Sequence, residues 1–222
     1  MPAGMPVLVL DHGSTDRTRE IARAHGADVR EREFGGFVDA RRFAISQVAT
    51  EWTLMLDADE AIDAQLRRSI TGAGPECNGY YVRRTTFYRG RALRMWRDEL
   101  LLRLFRTKDV RVEPFPSAGG SAQLHERCTC DPPLGTLDGT LLHYSYPTHE
   151  AYSTKYDFYT SLEAQGVSPS RTRAAFEVAR TVPRFVWYLF GRGAVADGID
   201  GTRIAWRSAF YPAAVRLKAL RR

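Results

Sequence analysis

Residues 52–60, WTLMLDADE, constrain the fold most: an apolar run stops abruptly in three carboxylates within four positions, Asp57, Asp59 and Glu60. A short apolar run bounded by a charged turn reads as a buried strand. Ending that strand in acids puts negative charge at the rim of a sheet, and in open α/β sheets ligands bind beyond the carboxyl ends of the strands. In extended backbone Asp57 and Asp59 project to one side. Two carboxylates held together repel unless a proton or a cation lies between them. A small set of oxygen ligands favours Mg2+ or Mn2+, which leaves coordination positions open for substrate phosphates. Glu60 has a plainer reading, an acid near the start of the following helix, where the helix dipole favours it.

What precedes this strand repeats its logic. PVLVL (6–10) is a second apolar run and ends at Asp11. Ser14, Thr15 and Asp16 are N-cap candidates for a helix that Gly26 would stop. ADVREREF (27–34) reads as a strand, and residues 36–49 carry Phe37, Ala40, Phe43, Ala44 and Val48 at helical spacing. Strand and helix alternate through residue 73, which predicts parallel strands with crossover helices. After Gly79 the aromatic, Thr and Arg texture of YYVRRTTFYRGRALRMW and then LLLRLFR predicts antiparallel strands. AQLHERC and GTLLHYSY follow between Pro- and Gly-marked loops, and from Glu150 onward the chain reads as helical. The organisation is therefore a domain over 1–149 and a helical region over 150–222.

Composition narrows the class. No apolar run approaches the ~18 residues of a membrane span, and MPAGMPVLVLDHGS lacks the basic and apolar regions of a secretory leader. The expectation is a cytoplasmic location. Three cysteines, with Cys128 and Cys130 two apart, fit reduced thiols better than a disulfide framework or the usual spacing of structural zinc. Residues 171–222 hold eleven Lys plus Arg against three acids, and the rest of the chain is slightly acidic. This basic quarter is interleaved with aromatic blocks, RFVWYLFGRG (184–193) and RIAWRSAFY (203–211). No nucleic-acid-binding signature accompanies them, so the expected partner is an anionic membrane surface on the inner face of the cell membrane. Packing of these aromatics onto the rest of the protein is the competing reading.

VLVLDHGSTDRTREIARAHGADV, followed by GGFVDARRFAISQVATEWTLMLDADE, resembles the inverting family two glycosyltransferases, whose signatures are a D-x-G-S-x-D-x-T loop and a D-x-D strand end. RLF, LHE, LLHYSY and GAVADGIDGTRIAWRSAFY are similar to the subgroup that includes bacterial lipopolysaccharide-core glucosyltransferases. The resemblance implies an α/β fold of GT-A type, a Rossmann-like sheet that binds nucleotide-diphospho-sugars, here with a helical C-terminal extension. It also implies a nucleotide-sugar donor, a saccharide or lipid-linked acceptor and a divalent metal, Mg2+ or Mn2+.

Carried over residue by residue, the resemblance assigns Asp11 and Asp57 to the donor and Asp59 to the metal. Arg41, in a position often basic in relatives, becomes a second contact to the diphosphate, unless it lies on a solvated helix face. His143 matches a late metal ligand, with a satisfied core histidine as the alternative. An inverting displacement needs a base for the acceptor hydroxyl. Glu126 in LHER is that candidate, and His125 beside it is the acceptor contact.

The chain also departs from the family. Members begin with a further strand and helix before the segment that starts here at Pro6; that strand is central in the sheet and helps to hold the nucleotide base. The departure points either to a start placed too late or to an inactive, membrane-associated binding protein descended from such an enzyme. His12 and Arg42 replace the usual residues at two motif positions. Haloacid dehalogenase-type phosphatases also follow an apolar strand with Asp-x-Asp, but with Thr or Val four residues after the first Asp, where this chain has Ala61.

Overall fold

The computed structural model describes residues 4–97, 99–115 and 125–222. It opens with a β-α-β unit: β1 (Leu8–Asp11) and β2 (Asp28–Glu31) are parallel neighbours joined by α1 (Thr18–Ala24). Gly26, at φ +80°, closes α1 in the left-handed conformation that favours glycine. The N-cap is Arg17 and not Ser14, Thr15 or Asp16. The Asp16 carboxylate still accepts from the Thr18 amide at 2.9 Å, so the expected capping chemistry acts one residue off the predicted place. Next come α2 (Phe37–Ser46) and β3 (Trp52–Leu54).

The parallel arrangement expected through residue 73 holds only for β1 and β2. Residues 60–62 form a short strand, β4, and α3 covers Ala64–Thr71. The later strands are β5 (Gly79–Tyr88), β6 (Arg91–Ala92), β7 (Glu99–Arg106), β8 (Arg111–Phe115), β9 (His125–Thr129) and β10 (Leu134–Tyr146). The main sheet runs β3-β7-β5-β10-β4, with β6 pairing β5. β3 lies antiparallel to β7, and β4 antiparallel to β10. Strand–helix alternation could not foresee this, because the neighbour of β3 is the returning arm of a hairpin about 50 residues away. β8 and β9 form a separate antiparallel pair.

Among the described residues no ladder joins β1–β2 to β3. β1 and β3 are half-buried, as strands with one side unpaired should be.

Two clusters hold the sheet. On one side Leu66 and Ile70 of α3 pack against Tyr80, Val82, Leu104 and Leu141. On the other, Leu102 and Phe105 meet Val112, Cys128 and Cys130, with Val38 and Ile45 of α2 packed against them. All three cysteines are free. Burial pushes the Cys128 thiol up, and drives that of Cys130 to about 11, so both stay protonated thiols. Leu102 to Phe105 are buried in succession, as expected for a strand covered on both faces. Gly139, at φ +99°, lets β10 pass so close to α3 that a Cβ there would meet the Leu66 amide.

The C-terminal region comprises α4 (His149–Gln165), α5 (Arg171–Ala179), α6 (Thr181–Val186), a π-helical turn over Trp187–Gly191, a 3-10 turn and α7 (Gly198–Ala219). Tyr152, Ala194, Ile204 and Ala205 share one cluster with Tyr88, Leu93 and Met95 of the sheet side, so a continuous core crosses residue 149. The aromatic block divides between packed and exposed residues. Phe185, Tyr188 and Leu189 pack against that core, whereas Val182, Val186, Trp187 and Phe190 are exposed.

Candidate active site

The acidic turn follows β3, and two sets of partners divide it. Arg41 of α2 and Arg103 of β7 each donate to the Asp57 carboxylate at 2.8 Å, one to each oxygen. Glu60 accepts from the Asp57 amide at 2.9 Å and from Arg103 at 2.8 Å, and Arg84 of β5 closes on it at 3.3 Å. The Glu60 side chain has no exposed surface. It is therefore a buried member of an ion network and not the cap of α3. That cap is Asp63, which accepts from the Leu66 amide at 2.6 Å and from Thr140 at 3.0 Å.

Arg41 reaches a second carboxylate, Glu126 of β9, through its Nε. Its side chain is only 18 % exposed, so the solvated-face reading fails. α2 aims it inward to bridge two of the predicted site residues that lie 69 positions apart in sequence. Burial works to raise the Asp57 carboxyl, and the charges of Arg103 and Arg41 outweigh it, leaving it below its ordinary value.

Asp59 has different company. One carboxylate oxygen lies 3.3 Å from His143 Nε2 and the other 3.3 Å from Lys155 Nζ. The His143 contact, followed by the charge of Lys155, holds the Asp59 carboxyl well below the usual carboxylate range. His143 is anchored through Nδ1 to the Thr86 hydroxyl at 3.0 Å. Lys155 comes from α4 and is tied to the Ser145 carbonyl and hydroxyl, both at 3.1 Å.

A divalent ion would have two candidate protein ligands here, Asp59 and His143. Among the described residues no group of three or more His, Cys, Asp or Glu gathers to hold a metal. The pair fits such an ion nonetheless. An imidazole fixed by a hydrogen bond on its far nitrogen is the usual support for a metal-ligating histidine. One carboxylate and one imidazole leave most of an octahedron for phosphate oxygens and water.

Asp11 is not drawn into this cluster. It is 3 % exposed, and both its oxygens accept from the Ser14 amide, at 3.0 and 2.9 Å, which lowers its carboxyl. It shapes the loop after β1, and none of these bonds reaches Asp57 or Asp59. Nearby, His12 Nδ1 lies 3.0 Å from the Arg32 carbonyl, and Arg42 donates twice to the Val112 carbonyl, so both departures from the motif have structural partners. His125 pairs with Phe115 in the β8–β9 ladder, and its side chain lies outside the described residues.

Sequence reasoning missed Arg84, Thr86, Arg103 and Lys155. Arg103 had a signal: a lone charge inside LLLRLFR must be paired if the strand is buried. Lys155, on an ordinary-looking helix, had none.

A β-α-β unit, a mixed central sheet and appended C-terminal helices are consistent with the GT-A fold. The family model for glycosyl transferase family 2 matches residues 5–124, more than half of the 222-residue chain. The chain belongs to that family and is a glycosyltransferase. It is 26% identical over 218 residues to the lipopolysaccharide core biosynthesis glycosyltransferase LpsC of Rhizobium meliloti, covering 92% of this chain and 78% of that one. An uncharacterized glycosyltransferase of Rickettsia prowazekii is 28% identical over 212 residues, 88% of this chain and 70% of its own. One from Rickettsia typhi is 26% identical over 211 residues with the same coverage. Family membership removes the phosphatase reading. No helix among the described residues is long and apolar enough to cross a membrane.

Proposed function

We propose that this chain is a metal-dependent, inverting glycosyltransferase. It moves a sugar from a nucleotide-sugar donor to a saccharide or lipid-linked acceptor at the cytoplasmic face of the inner membrane, in cell-envelope glycan synthesis. The likeness to LpsC, a lipopolysaccharide core enzyme by name, supports the pathway class. The observation that carries the reading is the Asp59–His143–Thr86 alignment, set beside the Arg41-linked pair of Asp57 and Glu126.

Within the cluster Asp57, Glu60 and Glu126 face Arg41, Arg84 and Arg103, so positive charge there is already matched. A diphosphate leaving group needs further neutralisation, and Mg2+ or Mn2+ held by Asp59 and His143 would supply it as a Lewis acid. Arg41 meets the diphosphate, Asp57 takes the donor's ribose, and Asp11 shapes the loop on the nucleotide side. Glu126 accepts the proton of the acceptor hydroxyl as that oxygen attacks the anomeric carbon, while His125 orients the acceptor.

The membrane partner rests on the C-terminal helices. Val182, Val186 and Phe190 recur every four residues, and with Trp187 and Ile199 they leave about half or more of their surface exposed. Arg171, Arg173 and Arg180 stand exposed on the adjoining stretch, as contact with anionic lipid requires.

The test is donor hydrolysis or transfer with Mn2+, comparing the chain with Asp59→Ala. A large loss is expected, and equal rates would remove the metal role. The competing reading, an inactive membrane-associated binding protein, is favoured by one observation, the interruption between β1 and β3. It predicts nucleotide binding without turnover in either protein.

A further inference from the structure

Behind the acidic turn lies a cavity of about 200 Å3 walled by Trp96, Tyr146, Tyr152, Tyr156, Tyr159 and Tyr211. Its rings brace one another in tilted and edge-on contacts. Trp96 and Tyr146 are 5.4 Å apart, Tyr146 and Tyr152 5.0 Å, and Tyr156 and Tyr211 5.5 Å. The walls are therefore preformed. They come from the end of β10, from α4, from α7 and from the turn at Arg94–Trp96.

The cavity adjoins the acids. The Lys155 ammonium that contacts Asp59 at 3.3 Å also sits 5.4 Å above the Tyr146 ring. Tyr159 reports the same proximity: burial, then the charges of Asp59, Asp57 and Glu126, push its phenol up. The cavity reaches Asp59 through α4, which supplies both Lys155 and three of the lining tyrosines.

Its chemistry is selective. Its lining is aromatic rings and one serine, and the nearest cations, Lys155 and Arg207, are spent on ring faces of Tyr146, Tyr152 and Tyr156. One hydroxyl is already engaged: Tyr211 donates to Glu163 at 2.6 Å. The Tyr156 hydroxyl is buried and has no partner, a state costly enough that a ligand group is expected to relieve it. A pyranose satisfies both demands, because its C–H face lies on aromatic rings while its hydroxyls bond at the edge. An acyl chain would cover the rings and leave Tyr156 orphaned. At about 200 Å3 the space is below the ~300–1,000 Å3 of drug-sized sites, and so takes one ring and not an oligosaccharide.

We propose that this aromatic cavity is the acceptor subsite, seating a single pyranose ring of a saccharide acceptor with the Tyr156 hydroxyl as its specificity contact. The proposal rests on the glycosyl-transfer reading of the neighbouring acids, and the experiment separates the two.

The full chain is probed by saturation-transfer NMR with methyl pyranosides of gluco, galacto and manno configuration, and with decanoate as the acyl competitor. Binding of nucleoside diphosphates with Mn2+ is measured on the same preparations. At least one glycoside should receive saturation at millimolar concentration, its Kd rising about 10-fold in Tyr156→Phe and binding vanishing in Tyr159→Ala. Nucleotide binding should stay within about twofold in both variants. Asp59→Asn should reverse the pattern, keeping the glycoside and losing the metal-nucleotide. Failure of every glycoside, wild-type affinity in Tyr156→Phe, or displacement of the glycoside by decanoate would overturn the subsite while leaving the donor site standing. Glycoside binding that follows Tyr156 in a chain deaf to every nucleotide would leave the subsite and sink the transferase reading.

Discussion

Asp57 and Asp59 are two residues apart, yet they belong to different mechanical regimes. Asp57 is clamped between two guanidiniums at 2.8 Å, in a network whose Glu60 and Arg103 are buried. Asp59 meets only a lysine and a histidine, both at 3.3 Å; the two carboxylates are about equally exposed, at 31 and 34 %, so their partners and not their burial set them apart. An ion network with buried members punishes the loss of one of them, whereas longer, partly exposed contacts exchange partners cheaply. Under the proposed reading the guanidinium contacts hold the turn at Asp57, and Asp59 would exchange Lys155 for a cation.

Each of the following would break or sharpen that contrast. The largest effect is expected from Glu126→Gln, which should cut transfer by roughly 10²–10⁴-fold, the worth of a general base, with metal-nucleotide binding retained; a rate within a few-fold of the parent would move the base elsewhere. Arg103→Met, which leaves Glu60 and Asp57 without their shared partner, should lower unfolding free energy by about 3–5 kcal/mol in urea melts. On the looser side, Lys155→Met should cost no more than about 1 kcal/mol in the same melts; a loss as large as that of Arg103→Met would erase the distinction. The pH dependence has a definite sign. Because the folded Asp59 carboxyl titrates below its unfolded value near ~3.9, its contribution is present above that pH and lost as pH falls through the lower folded value. The stability gap between the chain and Asp59→Asn should therefore shrink on acidification below about pH 4. Smallest of all, Phe190→Ser with Trp187→Ser should weaken co-sedimentation with anionic vesicles and leave turnover and melting nearly unchanged, since both side chains are exposed.

Local patterns announced the end of β1, the helices between it and β3, and the acidic turn, because apolar runs, glycine stops and paired carboxylates are written in neighbouring residues; β3 itself stops at Leu54, so Asp57 and Asp59 lie beyond it and not along an extended strand. The sheet order was not legible: β3 finds its partner in β7, and no local rule names a neighbour that distant. The same holds at the site. Arg41 and Glu126 were singled out separately, yet their contact depends on how α2 crosses β9, and Lys155 reaches Asp59 from 96 residues away. Glu60 looked like a helix cap because capping is local, while its actual partners, Arg84 and Arg103, come from two other strands.

The central claim is that Asp59, with His143, grips a cation that grips a diphosphate. Electron paramagnetic resonance of Mn2+ titrated into the chain with a nucleoside diphosphate tests it most directly, by comparison with Asp59→Asn and Lys155→Met. A loss of bound Mn2+ of at least about 10-fold in Asp59→Asn, with retention or gain in Lys155→Met, is the predicted result. Equal Mn2+ binding by the chain and by Asp59→Asn would contradict it.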